Sequence, residues 1–172
     1  MYNNNDYYQK LLKYSQEVKC PSSIQIDLDL RRTFPNEEQV MDENFQKSLR
    51  NVLICYTTRN TSVGYCQGMN FVVSRLLLIM RDEEQTFWLF LQIMESIVSL
   101  IYYADLQGII IETTLIETLL PIYLPELVDF LEKNNFTLTI SNFIHKWMVC
   151  IFTQTLKIEM VYTFLFCYAI IY

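Results

Sequence analysis

Apolar residues in this chain recur mostly at the spacing of a helix face. Phe45, Leu49, Val52, Leu53 and Tyr56 fall at i, i+4, i+7, i+8 and i+11, the stripe that an amphipathic helix buries. Tyr7, Leu11, Tyr14 and Val18 repeat at fours and threes, which predicts an earlier helix behind a polar, frayed stretch at residues 1–6. Pro21-Ser22-Ser23 stops that helix, with Ser22 or Ser23 placed to cap the next segment. Ile24, Ile26, Leu28 and Leu30 alternate as in a strand. Nothing later in the chain offers that strand a partner, and an unpaired strand leaves its backbone groups unsatisfied. The segment therefore reads as a short helix running into an extended stretch at Thr33-Phe34-Pro35, because proline disfavours helix in the residue before it. The acidic, polar run Asn36 to Asp42 reads as a loop.

The helix through Tyr56 ends near Thr57–Asn60, where β-branched and amide residues collect. Val63-Gly64-Tyr65-Cys66-Gln67-Gly68-Met69-Asn70 comes next, then an apolar run to about Met80. This looks like a loop feeding a buried helix. Its glycines permit positive φ and close backbone approach, and Gln67 stands at a helix N-terminus, where free N–H groups can bind an anion. Taken alone, the stretch is accounted for by a capped core helix behind a glycine turn. Asp82 caps another helix, with Glu83 and Glu84 favoured in its first turn, and that helix carries Phe87, Trp88, Phe90, Leu91 and Met94. Tyr102 to Gly108 is a connection, and Leu115, Ile116, Leu119 and Leu120 form a further helical face. Pro121 and Pro125 break the chain after that face, Pro125 sitting in the first turn of a helix through Leu131. Lys133-Asn134-Asn135 is a turn. Ile144 to Phe152 and Met160 to Tyr172 are the last two helical segments. The expectation is an all-α, single multi-helix domain over residues 1–172 with no substantial β-sheet.

Composition agrees with long helices. Three glycines and four prolines in 172 residues leave little material for hairpins, and 52% apolar residues suffice for a core. The net charge of −6 weighs against nucleic acid, whose phosphates call for a basic face. Cys20, Cys55, Cys66, Cys150 and Cys167 include no CxxC pair, and His145 is the lone histidine, so zinc ligation has no support. An odd cysteine count reads as reduced thiols in the cytosol. Met1 to Asp6 has neither the basic region nor the apolar core of a signal peptide. Phe87 to Tyr103 carries Gln92 and Glu95, and Met160 to Tyr172 falls short of the roughly 20 residues a span needs; both read as core helices.

Three elements stand in order along the chain. The first is Ile26-x-x-Asp29-x-x-Arg32-Thr33-Phe34-Pro35. The second is Leu49-x-x-Val52-Leu53-x-x-Tyr56, running on to Asn60-x-x-Val63-Gly64-Tyr65-Cys66-Gln67-Gly68-Met69-Asn70. The third is Phe87-Trp88-Leu89-Phe90, then Tyr102-Tyr103, Gly108, Leu119-Leu120, Pro125-x-Leu127 and Trp147-x-x-x-x-Phe152. Together they resemble the TBC-domain family, the GTPase-activating proteins for Rab GTPases, from about Tyr7 to Phe152. The first two elements match the family's IxxDxxR and YxQ motifs, which are far more specific jointly than singly.

The resemblance implies a dual-finger mechanism in trans on a GTP-bound Rab-family small GTPase, with Arg32 as arginine finger and Gln67 as glutamine finger. Phosphoryl transfer from GTP to water needs charge neutralised and a water oriented. A guanidinium supplies permanent charge and a planar fork of donors. An amide accepts from the water while donating to a phosphate oxygen. Arg31 is the rival for the finger role; the Asp29-x-x-Arg32 spacing decides for Arg32, with Asp29 its orienting partner one turn away. Tyr65 packs or hydrogen-bonds to hold the loop, Gly68 lets the partner backbone approach, and Asn70 caps the helix or bonds the first motif. Trp88 and Trp147 read as core, and Cys66 needs no reactive role. No cofactor of its own is implied, GTP and magnesium arriving with the partner. The setting implied is cytoplasmic, peripheral to endomembranes through the Rab. The family's early Gly-[Val or Ile]-Pro segment is missing, Lys157 stands where a proline is usual, and Leu165-Phe166 replace a Trp-Asp pair. These departures imply a TBC domain truncated at both ends, lacking an N-terminal edge segment and the last helices. They also motivate an alternative, a non-catalytic Rab-binding or scaffold module of TBC type.

Overall fold

The helix with the clearest sequence stripe is the hub of the structure. In the computed structural model, which describes residues 6–18, 20–97, 100–103 and 106–163, α4 (Glu43–Arg59) packs against α1 (Tyr7–Glu17), α2 (Ser23–Leu30), α3 (Glu38–Met41), α5 (Met69–Met80) and α6 (Glu83–Gln92). Its stripe residues Leu49, Val52, Leu53 and Tyr56 are fully buried, as are most residues from Val52 to Thr57. Asp42 starts the helix by accepting from the N–H groups of Asn44 and Phe45 at 2.9 and 3.0 Å, which satisfies two orphan donors of the first turn. No strand occurs among the described residues. The fold is all-α.

The face that α1 buries differs from the expected one. Tyr8 and Ser15 are its buried residues, whereas Tyr14 is 53% exposed. Tyr8 is drawn inward because its hydroxyl donates to Glu83 at 2.7 Å while its ring packs on Phe87 at 5.0 Å. α2 forms where alternation had suggested a strand. Ile26, Asp29 and Leu30 share its buried side and Ile24 and Leu28 face solvent, a helical register. Ser22 occupies its N-cap position without a side-chain bond, so the expected serine cap is absent there.

Two further expectations are corrected by contacts made across the fold. Phe34 is not extended: its φ is +44°. Its ring stands edge-on to Phe71 at 5.2 Å with the Arg75 guanidinium 3.7 Å above it, so packing outweighs the usual preference of a pre-proline residue. The run Asn36 to Asp42 contains α3 rather than only loop, because Val40 is fully buried and anchors the turn.

α5 and α6 lie side by side. Asp82 caps α6 by accepting from Gln85 N–H at 2.7 Å. A π-helical turn at Ile93–Ile97 follows α6, then α7 (Leu100–Tyr103) and α8 (Gln107–Tyr123). Pro121 lies inside α8 and does not break it. It forfeits one backbone bond in the last exposed turn, and the chain bends by 104° only at Leu124, before α9 (Pro125–Lys133). Pro125 takes the first-turn position as expected. The expected α8 face is largely open, with Leu115 54% exposed. α10 (Thr137–Val149) begins and ends earlier than expected and packs back on α8. Residues 158–163 are helical; the rest of the expected helix to Tyr172 lies outside the described residues, as do residues 1–5, Leu165-Phe166 and Cys167. No single described helix is long and apolar enough to cross a membrane.

Candidate functional site

The two motifs meet through a closed ring of hydrogen bonds. At the end of α2 the carboxylate of Asp29, with no exposed surface, receives Arg32 Nη2 at 2.5 Å on Oδ1. Gln25 Nε2 donates to the same oxygen at 2.8 Å. Tyr65 Oη, from the loop before α5, donates to Oδ2 at 2.7 Å. The main-chain oxygen of Asp29 accepts from Thr33 Oγ1 at 2.7 Å. Thr33 Oγ1 in turn accepts from Asn70 Nδ2 at 2.7 Å. Asn70 Oδ1 closes the ring: it accepts from the buried Gly68 N–H at 3.0 Å and lies 3.2 Å from Tyr65 Oη. Every member has a partner, so this buried polar network is rigid rather than costly.

The sequence dictates this arrangement locally. Asp29 sits one turn after Ile26 and is therefore buried with it; Arg32, three residues further, emerges at the helix end with its side chain 51% exposed. Arg31 is also exposed but has no such anchor among the described residues. Asn70 holds the loop from inside the first turn of α5. Burial, and secondarily the bond to Asp29, hold the Tyr65 hydroxyl far above the ordinary tyrosine range, so it remains a donor.

Arg32 and Gln67 line one cleft of about 660 Å³ with Tyr65, Gly68, His145 and Lys146. Gln67 is exposed, its amide free to meet whatever enters. The burial of Gly68 corrects its expected role. Its φ is +115°, and a Cβ there would overlap Val149 Cγ1 and lie 3.2 Å from Val149 O, so the close neighbour is α10 of the same chain. Gly64, at φ +66°, has open space around it. Cys66 is an inert wall: burial, helped by the charge of Asp29, pushes its thiol up to about 11.

Two features escaped the sequence reading. One is Arg75, buried on α5, which forks onto Glu37 at 2.7 and 2.8 Å while stacking on Phe34. It pins the turn that follows Arg32, and its only sequence signal is a charge inside an apolar run. The other is the cleft wall contributed by α10, where the motif residue Trp147 is flanked by His145, Lys146 and Val149, which line the cleft and which no motif picks out. The tryptophans are half-buried. Trp88 packs against the core, and Trp147 stacks on Phe152 at 6.0 Å.

A model of the Rab-GTPase-TBC domain matches residues 1–169. TBC1 domain family member 2A of Homo sapiens is 34% identical over 152 residues, covering 87% of this chain and 16% of that protein. Growth hormone-regulated TBC protein 1-A of Danio rerio is 33% identical over 163 residues, covering 92% of this chain and 44% of the relative. The crystal structure of the Chlamydomonas flagellar RabGAP TBC domain matches with a TM-score of 0.75 at 26% identity, over 92% of this chain and 52% of that one. The Ypt/Rab-GAP domain of Gyp1p, at 20% identity and a TM-score of 0.74, shares the fold. The chain thus spans about half, or less, of the length of these relatives.

Proposed function

Because this chain belongs to the Rab-GTPase-TBC domain family, we propose that it is a GTPase-activating protein for a Rab-family small GTPase in its GTP-bound state. Arg32 and Gln67 act in trans on the nucleotide. The observation that carries this reading is their shared cleft, lined by both side chains and braced behind by the ring through Asp29, Tyr65, Asn70 and Thr33.

GTP and magnesium come with the partner. The Arg32 guanidinium, aligned by Asp29 and half in solvent, swings or extends toward the transferring phosphoryl group and neutralises the charge that builds there. The Gln67 amide accepts from the attacking water and donates to a phosphate oxygen, which fixes the water in line. Asp29, Tyr65 and Asn70 position these two groups without touching the nucleotide. Gly68 keeps the loop seated on α10. The protein works in the cytoplasm and reaches endomembranes through the Rab it engages.

A panel of GTP-loaded Rab proteins tests the proposal. Wild type accelerates hydrolysis by at least one of them. Arg32→Ala loses roughly 10³-fold or more of that acceleration, and Gln67→Ala roughly 10²-fold. Acceleration of no Rab, or full activity in Arg32→Ala, refutes the mechanism. Nucleotide-dependent binding without acceleration would assign the alternative role, a non-catalytic Rab-binding module.

A further inference from the structure

We propose that Lys146 is an anion-docking residue of the cleft, meeting a carboxylate or phosphate oxygen that the GTP-loaded partner presents. The inference rests on reading this cleft as the GTPase-facing surface. Three observations lead to it.

First, the last turn of α10 carries Lys146 and His145 into the cleft that Arg32 and Gln67 line. Second, the charge there is one-sided. The chain carries a net −6, yet among the described residues no Asp or Glu lines the cleft. The nearby Asp29 is fully buried and paired with Arg32. Arg32 therefore brings a compensated charge, whereas exposed Lys146 has no acidic partner among the described residues. Third, Lys146 stands one turn before Cys150, another lining residue whose N–H donates to the Lys146 carbonyl at 3.1 Å, and its charge opposes the effect of burial on that thiol. A cation with no acidic neighbour among the described lining residues, in an acidic protein, concentrates the local field on an incoming anion.

The competing explanation is local. A lysine in the last turn of a helix interacts with the free carbonyls of the C-terminus. Lys133 likewise stands in the last turn of its helix, α9, and lies outside the cleft, so it is a control for the helix-end effect.

Steady-state activation of the GTP-loaded Rab panel is compared for Lys146→Gln, Lys146→Glu, Lys146→Arg and the same changes at Lys133, at low and physiological salt. Lys146→Gln is expected to lower kcat/KM roughly threefold and Lys146→Glu roughly tenfold. Lys146→Arg retains most activity, and salt dependence weakens as the charge is removed. A fall in kcat at saturating partner identifies a nucleotide phosphate as the anion; a rise in KM with kcat intact identifies a carboxylate of the partner. Lys146→Glu within twofold of wild type at both salts overturns the proposal, as does an equal loss in Lys133→Glu. If wild type accelerates no Rab, equilibrium binding to the panel loaded with a non-hydrolysable GTP analogue replaces the rate. Salt-dependent loss of binding in Lys146→Glu then supports the docking role although the catalytic reading has failed. Unchanged binding, or no binding by wild type, overturns it.

Discussion

Replacing Tyr65 by phenylalanine removes one oxygen from the ring of bonds behind the cleft and leaves the aromatic packing in place. The lost hydroxyl donates to Asp29 Oδ2 at 2.7 Å and lies 3.2 Å from Asn70 Oδ1. Having a single proton, it serves chiefly the nearer, charged acceptor. A hydrogen bond to a charged group contributes about 1.5–3 kcal/mol, and its buried acceptor is left with the desolvation penalty. Asp29 Oδ1 keeps Arg32 and Gln25, and Asn70 Oδ1 keeps the Gly68 N–H, so the cost falls near the middle of that range, about 2 kcal/mol. Urea unfolding should show this as a lower midpoint at unchanged slope. Thermal melting should fall by roughly 4–8 °C for a chain of this size. Since Arg32 keeps its anchor, GTP hydrolysis at a temperature where the variant is folded should fall by less than about tenfold. Asn70→Ala cuts the same ring at its other side, so the two changes should be non-additive by at least about 0.5 kcal/mol in a double-mutant cycle. A Tyr65→Phe protein as stable as wild type within about 0.5 kcal/mol, or strictly additive effects with Asn70→Ala, would refute the claim that the ring acts as a unit.

Gly68→Ala meets Val149 and requires a non-glycine residue at φ +115°; a destabilisation of roughly 2–4 kcal/mol by urea unfolding is expected, and none at Gly64→Ala larger than about 2 kcal/mol, because space there is open and only the positive φ is strained. Glu37→Ala should destabilise more than Arg75→Met, the first leaving a buried guanidinium with the Phe34 ring and the Thr153 carbonyl at 3.5 Å but no counter-charge among the described residues, the second leaving a carboxylate that is 39% exposed and can hydrate; the reverse order in calorimetry would contradict the pairing. Burial pushes the Cys66 thiol to about 11 and the Cys55 and Cys150 thiols to about 12, above the ordinary value of 9.0. These groups hold protons in the folded state that the unfolded chain releases, so their stability is full below about pH 9 and declines as pH rises through 11–12. A urea midpoint that stays flat from neutral pH to pH 11 would show that the thiols ionise without cost in the fold.

The parts of this molecule legible in its sequence are those where one helical period settles both burial and chemistry. α4 is visible there because its stripe from Leu49 to Tyr56 is wholly buried, and the Asp29–Arg32 pair because a spacing of three puts a buried carboxylate beneath an emerging guanidinium. The features that escape depend on contacts between segments distant in the chain. Phe34 adopts positive φ because Phe71 and Arg75 enclose it. Tyr8, not Tyr7, is the anchor of α1 because Glu83 waits on another helix.

Gly68 shows the same limit inside the motif itself. A glycine is required there for close approach, but the approaching backbone belongs to α10 of the same chain. That has a functional consequence. The loop bearing Gln67 rests on Val149, and Lys146 lies on the same helix, less than one turn earlier. A displacement of α10 would therefore move the Gln67 loop and Lys146 together, whereas Arg32, anchored at the end of α2 through Asp29, would stay. The ring of hydrogen bonds fixes the arginine; the packing of α10 against Gly68 fixes how deep the Gln67 loop sits beside the cleft. Under the proposed mechanism, a conservative contraction such as Val149→Ala should thus disturb the contribution of Gln67 to hydrolysis more than that of Arg32. In rate terms, Val149→Ala combined with Gln67→Ala should add little to the loss from Gln67→Ala alone, while its effect should persist in full in the Arg32→Lys background. Equal, independent losses in both backgrounds would mean that α10 supports the domain as a whole and not the glutamine loop in particular.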